Sequence, residues 1–162
     1  MPATLKTLTR NRMTKPDSTP MSQTELCRDL PNADRDLMHA IVAGCAIISN
    51  ADGWVGRDER RRMSGMIRAI DPIAAFGRDE VLKRFRDLNA RFAANHDEAE
   101  QHAFSLVTTL RGQRNKSELL LTICTSVAGA DGGFDAEERH ALVKMCEALD
   151  LDPFDWDLRV AP

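Results

Sequence analysis

Two short acidic phrases in this 162-residue chain carry the residue types that could do chemistry. Asp52-Gly53 is followed by Asp58-Glu59, and Asp131-Gly132 is followed by Glu137-Glu138. Carboxylate oxygens are ligands for hard cations, and each must come within about 2.0–2.6 Å of the ion. On an unbroken helix, residues seven apart sit about 10 Å from one another along the axis. A straight helix therefore cannot bring Asp52 and Glu59 to one ion. The glycine after each Asp allows one helix to end and the chain to reverse. Glu59 and Glu138 then fall near the third position of the following helix, where a side chain can fold back toward the turn. If a pseudo-two-fold axis brings both turns together, Asp52, Glu59, Asp131 and Glu138 converge. Four close negative charges demand a cation. The expected occupant is a divalent metal ion (Ca²⁺, Mg²⁺, Mn²⁺ or Zn²⁺), with Asp58, Asp135 and Glu137 as outer acids.

The same residues also make sense as helix punctuation. Asp135-x-x-Glu138 fits a capping box, and acids just ahead of a helix N-terminus are stabilised by its dipole. In the first phrase the corresponding cap is Gly56, which has no side chain, yet Glu59 is present. That asymmetry leaves two readings for Glu59, a second duty or a bond to the backbone N–H of Gly56. The EF-hand loop does not fit, since counting from Asp131 puts Ala136 where glycine is needed and Leu142 where the bidentate Glu belongs.

The elements that must position these turns read as helices. Aromatic residues make up 5% and tyrosine is absent, which disfavours sheets. Apolar residues recur at helical spacing in Leu37, Ile41, Gly44, Cys45 and Ile48, in Val81, Leu82, Phe85, Leu88 and Phe92, and in Ala103, Leu106, Val107 and Leu110. Ser22, Asn95, Asn115 and Asp135 each precede a Glu by three positions and read as caps. The expectation is an all-α compact bundle of about seven helices near 22–30, 34–50, 57–71, 78–94, 97–111, 116–130 and 136–150. Phe154 and Trp156 are expected to pin the C-terminus onto it. Residues 45–71 align without gaps to 124–150, with nine of 27 columns identical. This predicts an internal duplication of a helix–Asp-Gly turn–helix unit, with repeat units near 37–71 and 116–150. Residues 1–21 read as a flexible basic tail and 22–162 as one domain.

Charge and cysteine usage narrow the class of function. The formal charge of −3 argues against binding nucleic acid through a basic surface. No apolar run is long enough to cross a bilayer. Four cysteines without a C-x-x-C pair, and no secretory leader, read as reduced thiols in a cytoplasmic protein. Cys45 and Cys124 lie in apolar runs and read as small hydrophobes.

The phrases from Ala51-Asp52-Gly53-Trp54-Val55 to Glu59, and from Ala130-Asp131-Gly132-Gly133-Phe134 to Glu138, resemble the two signature turns of the TerB-like tellurite-resistance family. The resemblance covers residues 34–152. It implies an all-helical fold, since members are helical and similar domains begin a membrane-anchored DnaJ-type co-chaperone. It also implies metal chelation by Asp52, Glu59, Asp131 and Glu138, and a non-catalytic role in tellurite or metal stress. A cytoplasmic protein partner in a membrane-associated complex is implied as well. No His-Pro-Asp occurs, so a J domain is not expected in this chain.

Two alternatives remain. In one, the chain is a protein-interaction helical bundle without metal, recognising its partner through Trp54 or the arginines 57, 60, 61, 62 and 68. In the other, His96-Asp97 belongs to an HD-type metal phosphohydrolase, with His39 and Asp131 as further ligands. No nucleophile elbow, P-loop or His-Glu-x-x-His motif supports catalysis. Glu98 and His102, four apart, read as a solvated helix pair.

Overall fold

The computed structural model describes residues 35–52, 77–129 and 135–158. Among these residues there are five α-helices and no strand. They are α1 (Arg35–Ser49), α2 (Arg78–Ala94), α3 (His96–Thr108), α4 (Arg114–Ala128) and α5 (Ala136–Ala148), followed by a 3-10 turn at Pro153–Trp156. The expected helices at 22–30 and 57–71 lie outside the described residues, as do Trp54, the arginine-rich face and residues 1–21.

The sequence pattern marks one apolar stripe on α1, but the structure buries the helix nearly all round. From Leu37 to Ser49 every residue except His39 is buried. A helix with no polar face has to be covered on all sides, and α1 packs against α2, α3, α4 and α5 alike. Small residues allow the close approach. A Cβ at Gly44 would sit 2.7 Å from Cys124 Sγ and 3.0 Å from Leu120 Cδ1, so glycine sets how near α4 can come.

The surrounding helices are one-sided. α2 turns Val81, Phe85, Leu88 and Phe92 inward, and α3 does so with Ala99, Ala103 and Val107. Asn95 ends one helix and starts the next. Its N–H donates to Arg91 O at 2.9 Å, while its side chain accepts from Glu98 N at 3.3 Å. Leu110 is fully buried after α3, and Gly112 turns the chain with φ 85°, a conformation costly for other residues. Ser117 Oγ donates to Leu110 O at 2.8 Å and ties the connection to α4.

The expected cap at Asn115 is not formed. α4 starts earlier, at Arg114, and Asn115 is inside the helix. Glu118 instead pairs with Arg114 at 2.8 Å, the i,i+4 geometry that a helix surface favours. The pair Glu98–His102 also needs correction: Glu98 reaches Arg91 at 3.5 Å, and His102 is half-buried.

α5 begins with a complete capping box. Glu138 N donates to Asp135 Oδ1 at 2.7 Å, and Asp135 N donates to Glu138 Oε2 at 3.1 Å. After the helix, Asp150 takes φ 58° and Leu151 N donates to Cys146 O at 2.8 Å. Aspartate tolerates this left-handed conformation better than most side chains. That gives Asp150, one of the repeated residues, a structural duty. Trp156 and Leu158 then bury themselves against the bundle. Phe154 does not share in this, being 69% exposed.

Candidate functional site

The first acidic turn leaves the C-terminal end of α1, and a polar cluster holds that end in place. Asn50 is nearly buried, and its amide donates to Ala46 O at 2.8 Å and to Asn89 Oδ1 at 2.7 Å. His96 Nε2 lies 3.1 Å from Asn50 O. A backbone carbonyl can only accept, so His96 carries its proton on Nε2. The His96 ring also meets Phe92 edge-on, with centroids 5.3 Å apart. α1, α2 and α3 are thus locked together immediately before Ala51 and Asp52. Asp52 itself is exposed.

The second acidic turn delivers the chain into α5, where the capping box fixes Glu138. Glu138 is partly buried and Glu137 is exposed. The end of α1 and the first residues of α5 open on one cleft of about 380 Å³. Ile47 and Ala51 of the α1 end, Glu100 of α3, and Ala136, Glu137 and His140 of α5 line it. Hence the neighbours of Asp52 and of Glu138 border the same space. Glu59 and Asp131, the other two expected ligands, lie outside the described residues, as does Asp58.

Within the cleft the charges are partly paired. Glu100 accepts from Lys144 Nζ at 3.0 Å, and the same ammonium lies 5.0 Å from the centroid of the Phe104 ring. Among the described residues, no three His, Cys, Asp or Glu side chains are grouped so as to hold a metal ion. Asp135 is occupied as the helix cap. Glu100 carried no local sequence signal, because its place in the cleft comes from the packing of α3 against α5. Asn50 and Asn89 were equally illegible, since each is polar in an apolar neighbourhood and their pairing spans two helices.

The histidines expected for the phosphohydrolase alternative are widely separated. His39 lies in the first half of α1 and His96 contacts Asn50 just beyond its end. Eleven residues of helix between them correspond to about 16 Å, beyond the reach of one ion.

The cysteines also fall where apolar residues would. Cys45, Cys124 and Cys146 are buried free thiols. The hydrogen bond that the Cys124 thiol makes to Cys45, reinforced by burial, raises the Cys124 pKa well above the ordinary thiol value. Burial, with Asp152 nearby, pushes Cys146 up to about 12. Such thiols stay protonated and unreactive. Cys27 lies outside the described residues.

Among the described residues, no helix is long and apolar enough to cross a membrane. No curated protein and no solved structure matches the chain. A family model described as tellurite resistance protein TerB matches residues 38–160. That match spans most of the sequence, including all but the first three residues of α1, the whole of α2 to α5 and both acidic phrases, and the chain therefore belongs to the TerB family.

Proposed function

We propose that the chain is a non-catalytic TerB module in which the two acidic turns jointly hold one divalent cation, as part of a tellurite or metal stress response. The observation that carries this reading is the shared cleft: Ala51, beside Asp52, and Glu137, beside Glu138, line the same space. The donor set of Asp52, Glu59, Asp131 and Glu138 is all carboxylate, which suits Ca²⁺, Mg²⁺ or Mn²⁺ better than softer metals. His140 on the cleft wall keeps Zn²⁺ among the ions to test. The contact between Cys45 and Cys124 supports the duplication, because residues at equivalent repeat positions meet where a pseudo-two-fold axis passes. A cytoplasmic protein partner in a membrane-associated complex completes the reading.

Calorimetric titration with each of the four cations tests it. The expected result is one ion per chain, a higher Tm with the ion bound, and loss of both in Asp131→Asn and Glu59→Gln. The second reading is a metal-free interaction bundle. The capping box favours it, since Glu138 Oε2 already serves Asp135 N. No heat and an unchanged Tm with every cation would establish that reading instead.

A further inference from the structure

At the other half of α1 lies a second concavity of different chemistry. A half-open pocket of about 300 Å³ is lined by α1, α2 and α3. Val42, Leu88 and Leu106 give it an apolar floor. Its polar wall holds Arg84 and Arg91 from α2, with His39 from α1 and His102 from α3. Asp87 supplies one carboxylate against the two guanidiniums.

Both guanidiniums are loosely engaged. Arg84 Nη2 is 3.6 Å from Glu80 and Arg91 Nη2 is 3.5 Å from Glu98, at or beyond the outer limit for a hydrogen bond. Two polar atoms of the pocket residues, Arg84 Nε and His39 Nε2, are buried without a hydrogen-bond partner. An arginine Nε–H can only donate, and an unpaired buried donor is a costly feature that native structures rarely keep. An acceptor supplied from outside would satisfy it. Burial, and then the positive charge of Arg84, lower the His39 pKa, against the opposing influence of Asp36 and Glu80. The imidazole is therefore neutral at pH 7, and the two arginines carry the positive charge it lacks.

We propose that this pocket binds a small oxyanion, a phosphate or carboxylate group, carried on a compact apolar body. The guanidiniums bind the oxyanion in charge-assisted, fork-like geometry, and the body rests on Val42, Leu88 and Leu106. The site is separate from the acidic cleft and does not depend on metal binding there.

The test is titration of the full chain with phenyl phosphate, benzoate and inorganic phosphate, followed by calorimetry and by the Arg84 Nε–H signal in NMR. Phenyl phosphate or benzoate should shift that signal and bind about tenfold tighter than inorganic phosphate, because only they fill the apolar floor. Which of the two binds better identifies the oxyanion. Arg84→Gln and Arg91→Gln should each weaken binding about tenfold, while Arg86→Gln, on the exposed side of α2, should leave it unchanged. Bound anion should also raise the His39 titration midpoint. Equal affinity in Arg84→Gln and Arg86→Gln, or no movement of the Arg84 signal with any of the three probes, would overturn the proposal.

Discussion

The two ends of α1 share one apolar helix and differ in almost everything else. Near its start, His39 and Val42 face a pocket whose wall carries Arg84 and Arg91. Near its end, Ile47 and Ala51 face a cleft whose wall carries Glu100 and Glu137. The helix contributes little charge to either place; the sign comes from the helices packed beside it. α1 acts as the common partition, and its neighbours decide what each side attracts.

A substitution in the middle of that partition should disturb both ends at once. Gly44→Val forces side-chain atoms into Cys124 Sγ and Leu120, and overpacking of this kind should cost about 2–3 kcal/mol. Urea denaturation measures the loss, and hydrogen exchange should rise at both pocket and cleft. Partial recovery in Gly44→Val/Cys124→Ala would locate the clash at the α1–α4 contact.

Asn50→Ala should be more selective. It removes the bonds to Ala46 and Asn89 and leaves Asn89 Oδ1 without its donor, at a cost of about 1–3 kcal/mol. Exchange at residues 50–52 should speed up while the pocket at His39 and Arg84 is unchanged. Equal loosening of both ends would dissolve the distinction between them. Asp135→Ala, which removes the cap of α5, should cost about 1 kcal/mol, with the change confined to the cleft side.

The smallest effect concerns pH. Burial first, and Arg84 second, depress the His39 pKa below its ordinary 6.5 in the folded chain. The unfolded chain then binds the proton more readily, so this contribution to stability is whole above pH 6.5 and falls as the pH drops toward the folded value. Comparing thermal unfolding of the native chain with His39→Gln between pH 7.5 and 5 should show a shallower acid slope in the variant. An identical slope would remove His39 from the account of the basic pocket.

Much of this architecture was legible in the residues. Val81, Phe85, Leu88 and Phe92 recur at helical spacing and all face inward, because local periodicity reports which face of an amphipathic helix is covered. The caps at Asn95 and Asp135 were legible for the same reason, being set within four residues of sequence. Asn115 misled because the Arg114–Glu118 pair supports a helix start two positions earlier, with Gln113 at the cap position. Phe154 misled because hydrophobicity alone does not reveal which side of a short 3-10 turn is covered. The pairing of Asn50 with Asn89, and of Glu100 with Lys144, depends on how separate helices pack and left no pattern in the sequence. Of the four expected ligands, Asp52 and Glu138 each adjoin in sequence a residue that lines the cleft, Ala51 and Glu137, while Glu59 and Asp131 are beyond the described residues.

The most direct test of a shared ion is paramagnetic relaxation by Mn²⁺ on the isotope-labelled chain. One equivalent of bound Mn²⁺ should broaden the backbone signals of Ala51 and Asp52 together with those of Glu137 and Glu138, in parallel across the titration, and leave His39 and Arg84 sharp. Broadening at one turn without the other, or none at either, would contradict the account.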